Sequence, residues 1–370
     1  MLARRAPSAI TGRALAAAAE VNYGLVHRHF GGKAAVLEAA LDELSADFAA
    51  DVFGGPGVSI PLRLEKHPTF LNAATRVALD HGGGAEFRHR SPVVSSYLDR
   101  MQQHRPGLEL SETRTSVALG ASISLGLAIH GSKLANAVGL VPDDPAIQRL
   151  AERWLLGLQE GHGPLGSVPR PDPRHRARSE QSTTDGHTGR EAIELRLVVA
   201  GAELLSDREP SAISGRSLAG AAGVNYGLIH HYFGTKDEVL RRSMQFHRDR
   251  FFAAAGDGLA PAFFSPSEHP GYVRALTRAT LDGDLSDDEA RYPVMETMVD
   301  SLIDADAEGE ELSAIRVAII TAVAAQLAWA LFTPTLEQGL GVSLAELEPR
   351  AAPMLRRLLS DPLAESSTHG

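Results

Sequence analysis

PSAISGRSLAGAAGVNYGLIHHYFGTKDEVL, residues 210–240, repeats PSAITGRALAAAAEVNYGLVHRHFGGKAAVL, residues 7–37, without a gap and with about two-thirds of positions identical. The offset between the copies is 203 residues (210 − 7). In the second copy Ser214 stands ahead of GRSLAGAA and Asn225 ahead of YGLIHHYF. Both side chains accept hydrogen bonds from the free N–H groups that open a helix. Gly223 lies between the two segments, where a chain leaving a helix takes positive φ at little steric cost. The spacing predicts a short helix over 215–222, a tight turn at Gly223 and a second short helix over 226–233. Ala219, Ala222, Val224, Leu228 and Phe233 form the small core between them. Ahead of this unit, residues 191–205 place Ile193, Leu197, Val198 and Leu204 on one face of an amphipathic helix.

The repetition runs further. HPTFLNAATRVALD at 67–80 returns as HPGYVRALTRATLD at 269–282, and SPVVSSYLDRM at 91–101 is followed at 292–302 by YPVMETMVDSL. VALGASISLGLAIHG at 117–131 is echoed by VAIITAVAAQLAWAL at 317–331. A period this long is unlike a solenoid repeat and fits two domains of one ancestry. Between the copies, residues 161–189 are rich in Pro, Gly, Ser, Thr and Arg and almost free of large apolar side chains, so they read as a linker. A flexible chain of about 30 residues spans roughly 30 Å, enough for the halves to pair with each other. No alternating strand pattern is present, and the expected fold is all-α. Its parts are a first head over 1–45, a helical domain over 46–160, the linker, a second head over 190–252, a second helical domain over 253–363 and a tail over 364–370. In each helical domain the last two helices, 118–139 with 147–158 and 315–336 with 344–359, are expected to form the pairing face.

Composition excludes several classes. With 370 residues and no cysteine, the chain has room for two or three cores but no disulfide framework, thiolate nucleophile or cysteine-rich zinc site. That usage fits a cytoplasmic protein. The apolar runs at 117–129 and 317–331 fall short of the roughly 20 residues a bilayer needs, so both read as buried helices and no membrane partner is expected. GTK at 234–236 and GGK at 31–33 lack the spacing of a phosphate-binding loop. No catalytic Ser/His/Asp set or paired carboxylate stands out, and no enzyme activity or cofactor is expected. His27, His29, His230 and His231 have no further ligand nearby to complete a metal site.

The net charge of −10 argues at first against a nucleic-acid partner, yet its distribution argues otherwise. Residues 210–236 contain no Asp or Glu and carry Arg216, Lys236, His230 and His231. Residues 7–33 hold Glu20 alone against Arg13, Arg28 and Lys33. A helix-turn-helix places its second helix in the major groove, with the first residues of that helix at base edges and its helix N-termini on phosphates. Ser214, Asn225, Tyr226, Gly227, His231 and Lys236 suit those tasks.

AAGVNYGLIHHYFGTKDEVL at 221–240 and AAEVNYGLVHRHFGGKAAVL at 18–37 resemble the tetracycline-repressor family of bacterial transcription regulators, whose signature joins a turn, a capped recognition helix ending in Phe, and a Lys opening the next helix. The likeness is strong over some 50 residues of the second half and about 35 of the first, and weak over the rest. It implies DNA contacts from Thr11, Arg13, Asn22, Tyr23, Gly24, His27, Arg28 and Lys33 in one head. The counterparts in the other are Ser214, Arg216, Asn225, Tyr226, Gly227, His230, His231 and Lys236. It also implies a small-molecule effector in the helical domain, for which Met295, Met298 and Trp329 are candidate lining residues, although core packing suits each of them better. The partners implied are an operator in double-stranded DNA, the effector, and the other half of the same chain in a pseudo-dimer, with a homodimer beyond it left open. Two departures weaken the first head. Only MLARRA precedes Pro7, so most of the family's first helix is missing, through a misplaced start or a genuine loss, and Glu20 stands where the second copy has Gly223. The alternative reading is a ligand-binding or protein-interaction module in which DNA binding has lapsed.

Overall fold

The computed structural model describes residues 1–53, 64–80, 92–142, 144–159, 189–255, 265–283 and 309–360. Every regular element among them is helical. The first half runs α1 (Gly12–Ala18), α2 (Tyr23–Phe30), α3 (Lys33–Phe53), α4 (Pro68–Leu79), α5 (Pro92–His104), α6 (Leu110–Ala137) and α7 (Pro145–Gln159). The second runs α8 (Gly189–Asp207), α9 (Gly215–Ala222), α10 (Gly227–Phe233), α11 (Lys236–Ala255), α12 (Ser265–Glu268), α13 (Pro270–Asp282), α14 (Gly309–Leu340) and α15 (Leu344–Ser360). The expected linker, apart from Gly189 at the start of α8, and the tail fall outside the described residues.

The principal hydrophobic core belongs to both halves. Val117, Leu119, Ile123 and Leu134 of α6 and Leu155 of α7 share one buried cluster with Ile319, Ile320, Trp329 and Leu336 of α14 and Leu355 of α15. The most extensive helix pairing in the fold is α6 with α14, and α7 and α15 also pack on the helix of the opposite half. At the crossing the two backbones touch, because a Cβ on Gly126 would lie 2.0 Å from the carbonyl oxygen of Ala324. The small side chains of α6 therefore serve close approach across the seam between the halves. Helix α6 starts earlier than the expected 118–139 and ends at Ala137, short of it, while α14 runs past both ends of the expected 315–336. At 28 and 32 residues they are long and apolar enough to cross a membrane by length and composition. Most of the apolar stretch of α14 and over half of that of α6 is instead buried against protein, 83% and 56% respectively.

Across the same seam, His130 of α6 meets Thr277 of α13. The Thr277 hydroxyl donates to the Val273 carbonyl at 2.8 Å, so it accepts from Nε2–H of His130 at 3.3 Å. That tautomer leaves Nδ1 unprotonated, buried and without a partner among the described residues. Burial alone pushes His130 down to about 4. Below the ordinary imidazole value of about 6.5 the unfolded chain binds a proton that the folded chain refuses, so stability is full above that pH and falls as the pH drops towards 4. The loss at the acid end is about 3 kcal/mol. Urea denaturation at pH 7 and pH 4.5 is expected to show a decline that His130→Leu largely removes.

Candidate nucleic-acid interface

Each head begins with a one-turn 3-10 segment, Pro7–Ala9 or Pro210–Ala212, that leads into the helix pair. In the first head Thr11 Oγ1 caps α1 by accepting from Ala14 N at 3.1 Å, and Asn22 Oδ1 accepts from Gly24 N at 2.8 Å to open α2. In the second, Ser214 and Ser217 form a reciprocal capping box on α9, and Asn225 Oδ1 accepts from Gly227 N at 2.9 Å. Gly223 closes α9 at φ 62°, with Val224 N donating to Ala219 O at 3.0 Å. The expected helix, turn and helix are all present, with α10 beginning one residue later than expected. Leu228 is only half-buried; Ile229 and Phe233, four apart on one face of α10, are the buried residues.

The tyrosine at the start of each recognition helix is held by its neighbours. A Cβ on Gly215 would come within 2.4 Å of the Tyr226 ring, and one on Gly12 within 2.4 Å of the Tyr23 ring, so each ring packs closely on a glycine of the preceding helix. Tyr226 also meets His230 edge-on at 5.1 Å between ring centroids. His230 Nδ1–H donates to the Gly234 carbonyl at 3.0 Å, which makes Nε2 the acceptor for the Tyr226 hydroxyl at 3.0 Å. Tyr23 and His27 repeat the edge-on contact at 5.3 Å. The outer surface of this arrangement holds Thr11, Arg13, Asn22, Tyr23, Gly24, His27 and Arg28 in one head and Ser214, Arg216, Asn225, Tyr226, Gly227, His230 and His231 in the other, all exposed. Lys33 and Lys236 differ from them. Both are half-buried, with ammonium groups donating to Pro7 O at 3.0 Å and Pro210 O at 3.4 Å, so each lysine ties the 3-10 segment ahead of the helix pair to the helix that follows the recognition helix, α3 or α11.

The heads are unequal. In the second, α8 lays Leu197, Ala200 and Leu205 against Leu218, Ile229 and Phe233. The first head has no counterpart of α8 among the described residues; Leu2 and Ile10 join Leu37 and Leu41 in a smaller cluster. As a result Phe30 is 49% exposed where Phe233 is 8% exposed. Val21 and Leu25 are exposed as well. Glu20 occupies the turn at φ 56°, the left-handed region in which a non-glycine residue costs about 1–2 kcal/mol.

Several residues that matter to this geometry escaped the reading of the motif. Asp80 accepts from Ser8 N at 2.5 Å, and Asp282 accepts from Ser211 N and Oγ at 2.8 Å, so the same aspartate anchors each head to the helical domain behind it. Arg76 pairs with Glu209 of the opposite half. Arg278 donates to Ser206 O at 2.5 Å and, across the seam, to Leu79 O at 2.6 Å, and its burial, opposed chiefly by Asp207, lowers it to about 10. The signal was available: Arg and Asp recur at identical places in HPTFLNAATRVALD and HPGYVRALTRATLD. Of the candidate effector residues, Met295 and Met298 fall outside the described residues. Trp329 is fully buried in the shared core, close enough to Glu348 to oppose the rise that burial gives that carboxyl.

Two helix-turn-helix heads behind which the helical domains share one core define a duplicated regulator architecture. The family model for bacterial regulatory proteins of the tetR family matches residues 1–40 and again 197–242. The HTH-type transcriptional repressor Rv3405c of Mycobacterium tuberculosis and the HTH-type transcriptional regulator Mb3439c of Mycobacterium bovis are each 31% identical over 156 residues, which is 42% of this chain and 81% of the relative. The chain belongs to the tetR family, and less than half of it corresponds to most of one such relative.

Proposed function

We propose that the chain is a DNA-binding transcription regulator acting as a single-chain pseudo-dimer, with repression as its mode. The observation that carries this reading is the α6–α14 pairing, which brings together two halves that each bear a capped, outward-facing recognition helix. Arg28 against His231 and His29 against Tyr232 give the two recognition helices different faces, so the operator is an imperfect palindrome. The DNA contacts are those named for each head, with the two lysines supporting the heads from behind. An effector held in a helical domain changes the spacing of the heads, and it needs only a few kcal/mol of preference for the non-binding spacing. Work on chromosomal DNA places the protein in the cytoplasm.

The test is titration of the full chain with duplex DNA from its own promoter region at several salt concentrations. Specific, salt-steep binding is expected. Tyr226→Ala should weaken it by about 1–3 kcal/mol, roughly tenfold to a hundredfold. Absence of any specific site at low salt overturns the proposal. A second reading, in which the first head no longer reads DNA, is favoured by the exposure of Val21, Leu25 and Phe30. Footprinting separates the two, since one protected half-site in place of two supports the second reading.

A further inference from the structure

We infer that Arg196, on α8, is a positioning residue that sets the recognition helix of the second head for DNA reading, and that it acts at one half-site only. The inference rests on the DNA-binding reading above. Its ground is the turn between α9 and α10. An α-helix leaves its last four carbonyls without intrahelical donors. At the end of α9 two of these are used by the turn itself: Gly220 O accepts from Gly223 N at 3.1 Å and Ala219 O from Val224 N at 3.0 Å. Two further carbonyls, Ala222 O at the end of the helix and Gly223 O just past it, take Nη2 of Arg196 at 2.7 and 2.8 Å. One guanidinium nitrogen thus spans the two peptides that aim the chain from α9 into α10, and charge-assisted bonds of this kind are stronger than neutral ones.

The glycine at 223 belongs to the same device. Its φ of 62° is one reason for glycine. The other is space, because a Cβ there would stand 2.8 Å from Arg196 Nη2. In the first head both parts are changed together: residue 20 is Glu, and α8 has no counterpart among the described residues. A glutamate at that turn does not leave the space that Gly223 leaves for the guanidinium. Recognition helix α10 is aimed by a side chain from another helix.

The experiment uses the full chain with Arg196→Ala and Arg196→Lys. Amide hydrogen exchange in the absence of DNA reads the clamp directly. Exchange is expected to quicken about tenfold over residues 222–229 in Arg196→Ala, with the amides of α8 and α11 unchanged and partial recovery in Arg196→Lys. Unchanged exchange in the turn, or an equal rise across the whole head, overturns the clamp and leaves Arg196 a packing residue. Binding is then measured on a duplex selected from a random library by the wild-type chain, and on versions with one half-site scrambled; Tyr226→Ala identifies the half-site of the second head. Arg196→Ala should lose about tenfold or more affinity where only that half-site remains, and stay near the wild type where only the other remains. Equal losses at both half-sites, or no loss at either, overturn the positioning role. Failure of the wild-type chain to select any duplex overturns the DNA reading instead, and the exchange result stands apart from it.

Discussion

Gly126→Leu is expected to force apart the two halves of the chain. The Cβ of any replacement meets the Ala324 backbone at 2.0 Å, and a backbone oxygen inside a 32-residue helix cannot rotate away as a side chain would. Overpacked cores lose about 1–3 kcal/mol when side chains can adjust, and here the whole of α14 has to move. A loss of about 3 kcal/mol or more is expected in urea denaturation. Because the crossing sets the distance between the heads, binding to an operator with both half-sites should fall with it. Gly131→Ala is the control on the same helix. Its Cβ would touch only Leu127 at 3.9 Å, and replacing a helical glycine by alanine is worth up to about 1 kcal/mol of added stability. Equal behaviour of the two variants would sink the claim that the crossing depends on backbone contact.

Trp329→Ala has the other large expected effect. The indole is 0% exposed, among the largest fully buried side chains of the described residues. Truncating a buried tryptophan costs about 3–5 kcal/mol, through lost transfer energy and the cavity left behind. The Glu348 carboxyl, raised by burial and held back by Trp329, is at the same time raised further. Urea denaturation of Trp329→Ala and Trp329→Phe checks this, with the phenylalanine variant expected to recover part of the loss. Normal stability with an altered effector response would instead place the ring on a ligand cavity.

Much of this architecture can be read in the residues, because the decisive interactions are local. Ser214, Asn225 and Gly223 act within three or four positions of themselves, so capping and turn chemistry locate α9 and the start of α10 from the sequence alone. Glu20 at positive φ follows from its alignment with Gly223. What is not legible is set by long-range contact. Leu228 and Ile229 are adjacent and equally apolar, and only the packing of the recognition helix on its neighbours decides that Ile229 is the buried one, as Val26 is in the first head. Arg196 lies 26 residues from the carbonyl it holds, in a stretch whose pattern marks an amphipathic helix but not the target of its polar face. The lysines look like free phosphate ligands in the motif, and folding brings each back to a carbonyl 26 residues away. His130 is not shared between the copies, since Ala330 occupies the matching place in α14.

The joining of α6 and α14 within one polypeptide alters how the protein answers to dilution. An assembly of two separate subunits comes apart as its concentration falls, and its stability cannot be stated without naming that concentration. Here the second partner of the pairing is always present at the effective concentration set by the connecting chain, whatever the number of molecules in the cell. On the single-chain reading proposed above, melting temperature and operator occupancy per molecule are then independent of any monomer pool, and a regulator made in very few copies keeps both of its heads.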